Sequence, residues 1–285
     1  MPFAWPYDCR RASLLHPGDA RDFFARGTPP SEPALAAELV RLVYCRDSTV
    51  VNQTLAKAGI TLVDCQLEGT GTQWLLVREP GRRAFLAFRG TEADDPTDIG
   101  TNLAFLPATW GAGGRVDGGF AAALEQVWAR LSLALDKVPE GRIIYTGHSL
   151  GGALTVLACS RRKPTRAYTF GAPRVGDAEF AGGQSGVDHV RFVLCCDLVP
   201  RLPPLCKHTG RQMYLDRDGN LRLDANEGTI TADQQRASGD YILQQAWRPG
   251  TAPVRELADH IVGNYASAVW GSGTALAEDV SGAGG

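Results

Sequence analysis

Two hydrophobic rhythms alternate along this chain. Near the start the spacing is helical: Leu35, Leu39, Leu42 and Val43 recur every three or four residues, behind Ser31 as an N-cap and Pro33 in the first turn. A second helix is predicted over Val50 to Ala58, stopped by Gly59. Short apolar or alternating runs follow at 60–66, 72–77 and 83–89, the last two joined across Pro80-Gly81, and these predict strands with a hairpin. From Gly119 to Val138, Phe120, Leu124, Val127, Trp128, Leu131 and Leu135 line one side of a predicted amphipathic helix. Strand and helix then alternate: a strand at 143–148, a helix from Leu150 to Arg161, a strand at 166–170, a short helix around Asp177 to Gln184 and an apolar strand at 190–196. That alternation predicts an α/β chain with a mainly parallel sheet. Beyond it, Asp218-Gly219-Asn220 marks a hairpin within 211–224, and residues 225–250 are polar without a usable pattern. A last element begins near Val254 and carries Leu257, His260, Ile261, Tyr265 and Val269.

Three segments fall outside these rhythms. Residues 1–30 read as an arm packed on the domain, and 272–285 as a small, polar, flexible tail. Residues 92–119 read as a long loop rich in Gly, Asp and Pro, which inside a compact domain is usually functional or disordered. Leu103, Phe105, Leu106 and Trp110 are embedded in it, either to line a substrate site or to join the core. With 285 residues, the expectation is a single domain.

Composition narrows the partners. A net charge of -2 argues against nucleic acid. No apolar run approaches the ~20 residues of a membrane-spanning helix, and the N-terminus lacks a secretory leader pattern, so the expected compartment is the cytoplasm. Seven cysteines, an odd number without C-x-x-C spacing, suggest reduced and mostly buried thiols. No His/Cys spacing predicts a metal site, and no cofactor is expected. The oligomeric state has no sequence signal.

The chemistry concentrates at Gly147-His148-Ser149-Leu150-Gly151. This G-x-S-x-G pentapeptide sits between an apolar strand and a helix, where it forms a strained elbow that exposes the serine hydroxyl. Ser149 then needs a histidine to accept its proton. Of five histidines, His148 would point away from its neighbour, His16 lies in the arm and His189 precedes a core strand. His208 and His260 remain, and the late helix-like segment favours His260. Asp197 directly follows an apolar strand and precedes His260, as the order Ser, acid, His requires in hydrolases of this sheet type. The backbone N–H of Leu150 and a donor at Thr91, after the strand ending Phe88-Arg89-Gly90, are candidates for an oxyanion hole.

Taken together, Ala87-Phe88-Arg89-Gly90-Thr91, Gly118-Gly119-Phe120, residues 144–153, Thr169 to Gly176, Asp197 to Pro204, and Asp259-His260 followed by Tyr265 resemble the class 3 lipase family. The resemblance implies an α/β-hydrolase fold and a triad of Ser149, Asp197 and His260, with Thr91 and Leu150 at the oxyanion hole. It also implies a lid in the segment after Thr91, and for His208 a place near the site without the role of base. The activity it implies is hydrolysis of acylglycerols or related lipid esters, with transient contact to a lipid interface. Acyl transfer on the same triad and a catalytically inactive lipid-binding module are the alternatives. Two departures stand out. Asp117 occupies a position where the family commonly has His, and Asp94-Asp95-Pro96 with Gly111, Gly113 and Gly114 make a poor continuous lid helix.

Overall fold

In the computed structural model the described residues are 3–19, 24, 27, 29–69, 71–79, 83–91, 106–138, 142–223 and 225–273. The hairpin turn at Pro80-Gly81, the lid-like residues 92–105 with Leu103 and Phe105, and the tail 274–285 lie outside them.

An eight-stranded sheet organises the chain. Its strands are β1 (Thr61–Gln66), β2 (Trp74–Arg78), β3 (Arg83–Phe88), β6 (Arg142–His148), β7 (Arg166–Phe170), β8 (His189–Leu194), β9 (Arg211–Leu215) and β10 (Leu221–Arg222), in that spatial order. The central pairs from β3 to β9 are parallel, whereas β1–β2, β2–β3 and β9–β10 are antiparallel. The register brings the carboxyl ends of the central strands level: Phe88 pairs with Gly147, His148 with Phe170, and Phe170 with Phe192. Loops leaving those strands therefore converge at one edge, where sites form in parallel sheets.

Strand alternation divides the core in two. Leu75, Val77, Phe85, Ala87 and Ile144 face α2 (Glu32–Leu42), α3 (Ser48–Lys57) and α9 (Val262–Gly271). Trp74, Leu76, Leu86, Phe88 and Tyr145 face α4 (Gly118–Leu135) and α5 (Leu150–Arg161). Ser31 caps α2, its Oγ accepting from Ala34 N–H at 3.3 Å, and Pro33 takes the first turn as its fixed φ favours.

Several expectations are revised. Within the expected loop 92–119, residues 107–117 are a hairpin of β4 (Pro107–Thr109) and β5 (Arg115–Asp117). Asp117 closes it: Oδ1 accepts from Gly119 and Phe120 N–H at 2.9 and 3.1 Å, and Oδ2 from Leu106 N–H at 3.2 Å. An acid capping a helix supplies the physical reason for the departure at this position. Within residues 225–250, which carry no usable pattern, Glu227–Gln244 form the 18-residue helix α7. Only Ala237 and Tyr241 of that helix are buried. Its inward contacts are polar: Gln234 donates to Cys195 C=O at 2.7 Å, and Asp233 accepts from Tyr214 at 2.8 Å. Hydrophobic periodicity has nothing to detect there. The last element is two helices, α8 (Arg255–Ala258) and α9, with His260 in the turn between them.

The N-terminal arm runs along α9. Ala4 N–H donates to Ser267 C=O at 3.1 Å, and Asp8 N–H to Asn264 Oδ1 at 2.8 Å. Among the described residues no helix is long and apolar enough to cross a membrane.

Replacing Asp117 by Ala removes the cap of α4 and the tie to Leu106. A loss of about 1–2 kcal/mol is expected, read from the urea midpoint; an unchanged midpoint would contradict the capping role.

Candidate active site

Ser149 is the single non-glycine residue with positive φ among the described residues, at 56°. The glycines around it are there for space. A Cβ on Gly147 would meet the Gly151 carbonyl, one on Gly151 the Phe88 carbonyl, and one on Gly152 the Ala172 side chain. The elbow is pinned to the sheet by Ser149 N–H donating to Phe170 C=O at 3.0 Å. Leu150 opens α5, so its N–H lies in the first turn, which lacks intrahelical acceptors.

Three residues far apart in sequence meet at this corner. Ser149 Oγ lies 2.9 Å from His260 Nε2, and His260 Nδ1 lies 3.0 and 2.9 Å from the two oxygens of Asp197. Asp197 is 1% exposed and its carboxylate is fully engaged. Oδ1 also accepts from Val199 N–H at 2.9 Å, and Oδ2 from Tyr265 O–H at 2.6 Å. Tyr265 in turn accepts from Leu194 N–H at 3.0 Å, tying the carboxylate to the end of β8. With an acceptor at Nδ1, the imidazole carries its proton there and turns the Nε2 lone pair to the hydroxyl. Such an arrangement can take a proton from Ser149 and stabilise the imidazolium that results.

The other expected residues divide. Thr91 directly follows Gly90, which packs against the elbow so closely that a Cβ there would stand 3.0 Å from Ser149 Cβ. Leu106 is exposed. Trp110 does not line the site. It is buried in the α4–α5 core, donates from Nε1 to Ser160 Oγ at 2.8 Å and lies under Arg161, 4.7 Å from its ring centroid. Ser160 and Arg161 end α5, roughly 16 Å from the elbow at 1.5 Å per residue. His208 holds a loop, with Nε2 2.6 Å from Pro200 C=O, and burial pushes its imidazole down to about 3.

Two residues near the site had no functional reading in the sequence. His148 points away from Ser149, as expected, yet it reaches the back of the base. Its ring lies 4.6 Å from that of His260, and its Nε2 is 2.9 Å from the His260 carbonyl oxygen. A carbonyl only accepts, so Nε2 carries the proton. Burial, then the neighbouring His260, holds the His148 imidazole well below the ordinary histidine range, which keeps it neutral. Nδ1 therefore accepts, and the partner is Tyr44 O–H at 2.9 Å. Tyr44 oxygen accepts in turn from Gly90 N–H at 3.1 Å. One hydrogen-bonded chain thus runs from the end of β3, through Tyr44 in the turn after α2 and through the elbow, to the backbone of His260. The Tyr-Cys pair at 44–45 and the His inside the pentapeptide were the available signals, but neither has a spacing that reveals its partner.

The carboxyl-end site on this sheet defines the class: the fold is that of the α/β-hydrolases. A triacylglyceride lipase of Rhizomucor miehei superposes with a TM-score of 0.58 at 22% identity, covering 85% of this chain and 94% of that one. Lipase II from Rhizopus niveus gives a TM-score of 0.55 at 26% identity, covering 64% and 78%. Residues 85–207 match the model of the family Lipase (class 3). A secreted mono- and diacylglycerol lipase of Fusarium solani is 40% identical over 151 residues, 43% of this chain and 45% of that protein. A Rhizopus oryzae lipase is 33% identical over 148 residues, 46% and 37% of the two chains. The chain spans less than half the length of these two relatives. The Fusarium relative is a secreted protein, which overturns the cytoplasmic expectation: a leader-like pattern missing from the N-terminus does not fix the compartment.

Tyr44→Phe leaves Gly90 N–H and His148 Nδ1 without partners, and a loss of about 1–3 kcal/mol is expected in denaturant titration. His148→Gln, which can still donate to the His260 carbonyl, should cost less than His148→Leu; equal losses would refute the hydrogen-bond account. A second prediction concerns pH. His189 lies between Thr169 and Thr209 hydroxyls at 2.9 Å each, and burial pushes it from 6.5 down to about 3. Between those values the unfolded chain binds a proton that the folded one excludes, so stability falls as pH drops below 6.5. His189→Gln should flatten that slope by up to about 1.4 kcal/mol per pH unit. An unchanged slope would show that His189 titrates alike in both states.

Proposed function

We propose that this chain is a serine ester hydrolase of lipase type. The observation that carries the reading is the unbroken path from Ser149 Oγ through His260 to Asp197, with contacts of 2.9–3.0 Å, set on an elbow at positive φ. Ser149 attacks the ester carbonyl as His260 Nε2 takes its proton. Asp197 stabilises the imidazolium without taking the proton itself. The N–H of Leu150 and a donor at Thr91 hold the developing oxyanion, which α5 also favours with the positive end of its dipole. His260 then protonates the departing alcohol, and a water activated by the same Nε2 releases the acyl group. The sequence of steps requires no cofactor or metal.

Acylglycerols or related lipid esters are the proposed substrates. The relatives' names support that class: a mono- and diacylglycerol lipase and a triacylglyceride lipase. Exposed apolar residues support contact with a lipid surface. Leu106 and Leu205 are exposed, as are Ile242, Leu243 and Trp247 near the end of α7, and such side chains suit the boundary between water and lipid.

Ser149→Ala should lower turnover of p-nitrophenyl esters and emulsified acylglycerols by at least about 10³-fold while leaving the fold intact by circular dichroism. A phosphonate ester should label wild type at one site, Ser149, and fail to label the variant. Retained turnover in the folded variant would refute the assignment, and absence of labelling in wild type would point to an inactive lipid-binding module.

A further inference from the structure

Behind the acid of this site lies a second cluster. Cys195 and Cys196 are 0% and 1% exposed, and with Ala237 of α7 they form a small buried group apart from the two main cores. Their sulfurs are 3.6 Å apart. Asp259, 63 residues further on, brings a carboxylate oxygen to the same place, so that all three potential donor atoms lie within 4.8 Å of one another. Asp233 Oδ2 stands 3.4 Å from Cys195 Sγ on the α7 side, and Ser238 Oγ 3.5 Å from Cys196 Sγ. Of the Asp259 oxygens, Oδ1 takes Tyr7 O–H at 2.7 Å and Arg255 Nε at 2.8 Å. Oδ2 has Cys196 N–H at 2.9 Å, which leaves capacity on that carboxylate edge.

The geometry points to a binding site for a soft divalent cation of the zinc class, held by Cys195, Cys196 and Asp259. A zinc ion with Zn–S bonds of about 2.3 Å at a tetrahedral angle holds its sulfurs about 3.8 Å apart, close to the bite already present. Two thiolates and the Asp259 carboxylate carry three negative charges, and Arg255, 2.8 Å from Asp259, supplies one positive charge. A divalent cation closes that balance. Binding forms two sulfur–metal bonds and releases two thiol protons to solvent; nothing is oxidised. Asp233 offers a further oxygen from α7.

Placement gives the site a consequence. Cys196 precedes Asp197, and Asp259 precedes His260. Filling the site draws on the Cys196 N–H···Asp259 contact that joins these two segments, so occupancy lowers ester turnover. This effect on rate rests on the hydrolase reading above, whereas the binding itself does not.

The test uses the full chain with its thiols reduced by a phosphine, titrated with Co²⁺ alone. Thiolate-to-cobalt charge-transfer and tetrahedral d–d bands should saturate at one cobalt per chain and vanish when zinc displaces it. Cys195→Ser/Cys196→Ser should lose the bands. Should that variant fail to fold, cobalt-edge X-ray absorption on wild type should find two sulfurs around the metal. Absent bands, equal bands in a folded double variant, or a shell without two sulfurs would overturn the site. Zinc should lower p-nitrophenyl ester turnover several-fold in wild type, reversibly by chelator, and not in the folded variant. Binding with turnover unchanged in an active enzyme would overturn the coupling. Failure of binding together with normal phosphonate labelling of Ser149 would remove the cation site and leave the hydrolase reading standing.

Discussion

A serine held at φ 56° is the constraint on which the site depends. A non-glycine residue in a sparsely populated backbone region costs about 1–3 kcal/mol and persists only where its surroundings over-determine it. Here the surroundings are β6, paired on both sides, and a helix that begins at the very next residue. Gly147, Gly151 and Gly152 let strand, helix and the β3 end approach so closely that no side chain fits between them. The strained corner and the level strand ends are therefore one arrangement. Shifting β6 by one residue would swap its side chains between the two cores and move the hydroxyl away from His260.

The same principle of full satisfaction governs the charges. Asp197 is buried, yet each of its oxygens has more than one donor. His148 is buried as well, and both its nitrogens are matched without a charge. A buried polar group left unpaired would cost more than any of these contacts gains. Tyr265 and Tyr44 thus serve as connectors: each phenol oxygen accepts a backbone N–H while donating its own proton inward. They fix opposite sides of His260, the one through Asp197 and the other through the His260 carbonyl.

Much of this was legible in the sequence where burial followed a rhythm. The strands of 83–88, 142–148 and 166–170 and the helices of 118–135 and 150–161 appear because apolar positions repeat at period 2 or 3.6. Ser149, His260 and Asp197 could be picked out as partners by chain order and by their places beside apolar strands or helices; their mutual distances could not. α7 escaped because its inward face is Asp233, Gln234 and Ser238 rather than Leu or Val. Trp110 remained ambiguous because a tryptophan in a Gly-rich stretch looks alike whether it lines a cleft or fills a core. Only the hydrogen bond to Ser160 and the stacked Arg161 decide. The links from Tyr44 to Gly90 and from His148 to His260 span 46 and 112 residues, and no local pattern encodes such a pairing.

α7 also has a bearing on how the molecule opens. Eighteen residues of helix pack on the fold with only two side chains buried. Lifting it away breaks hydrogen bonds but uncovers little apolar surface. Such an opening has a small heat-capacity change and a small denaturant dependence, unlike global unfolding. In amide hydrogen exchange it is therefore expected to open as a low-energy unit of its own, with protection that barely responds to dilute urea. The cysteine pair beneath it then meets solvent while the sheet, and the serine it carries, stay folded.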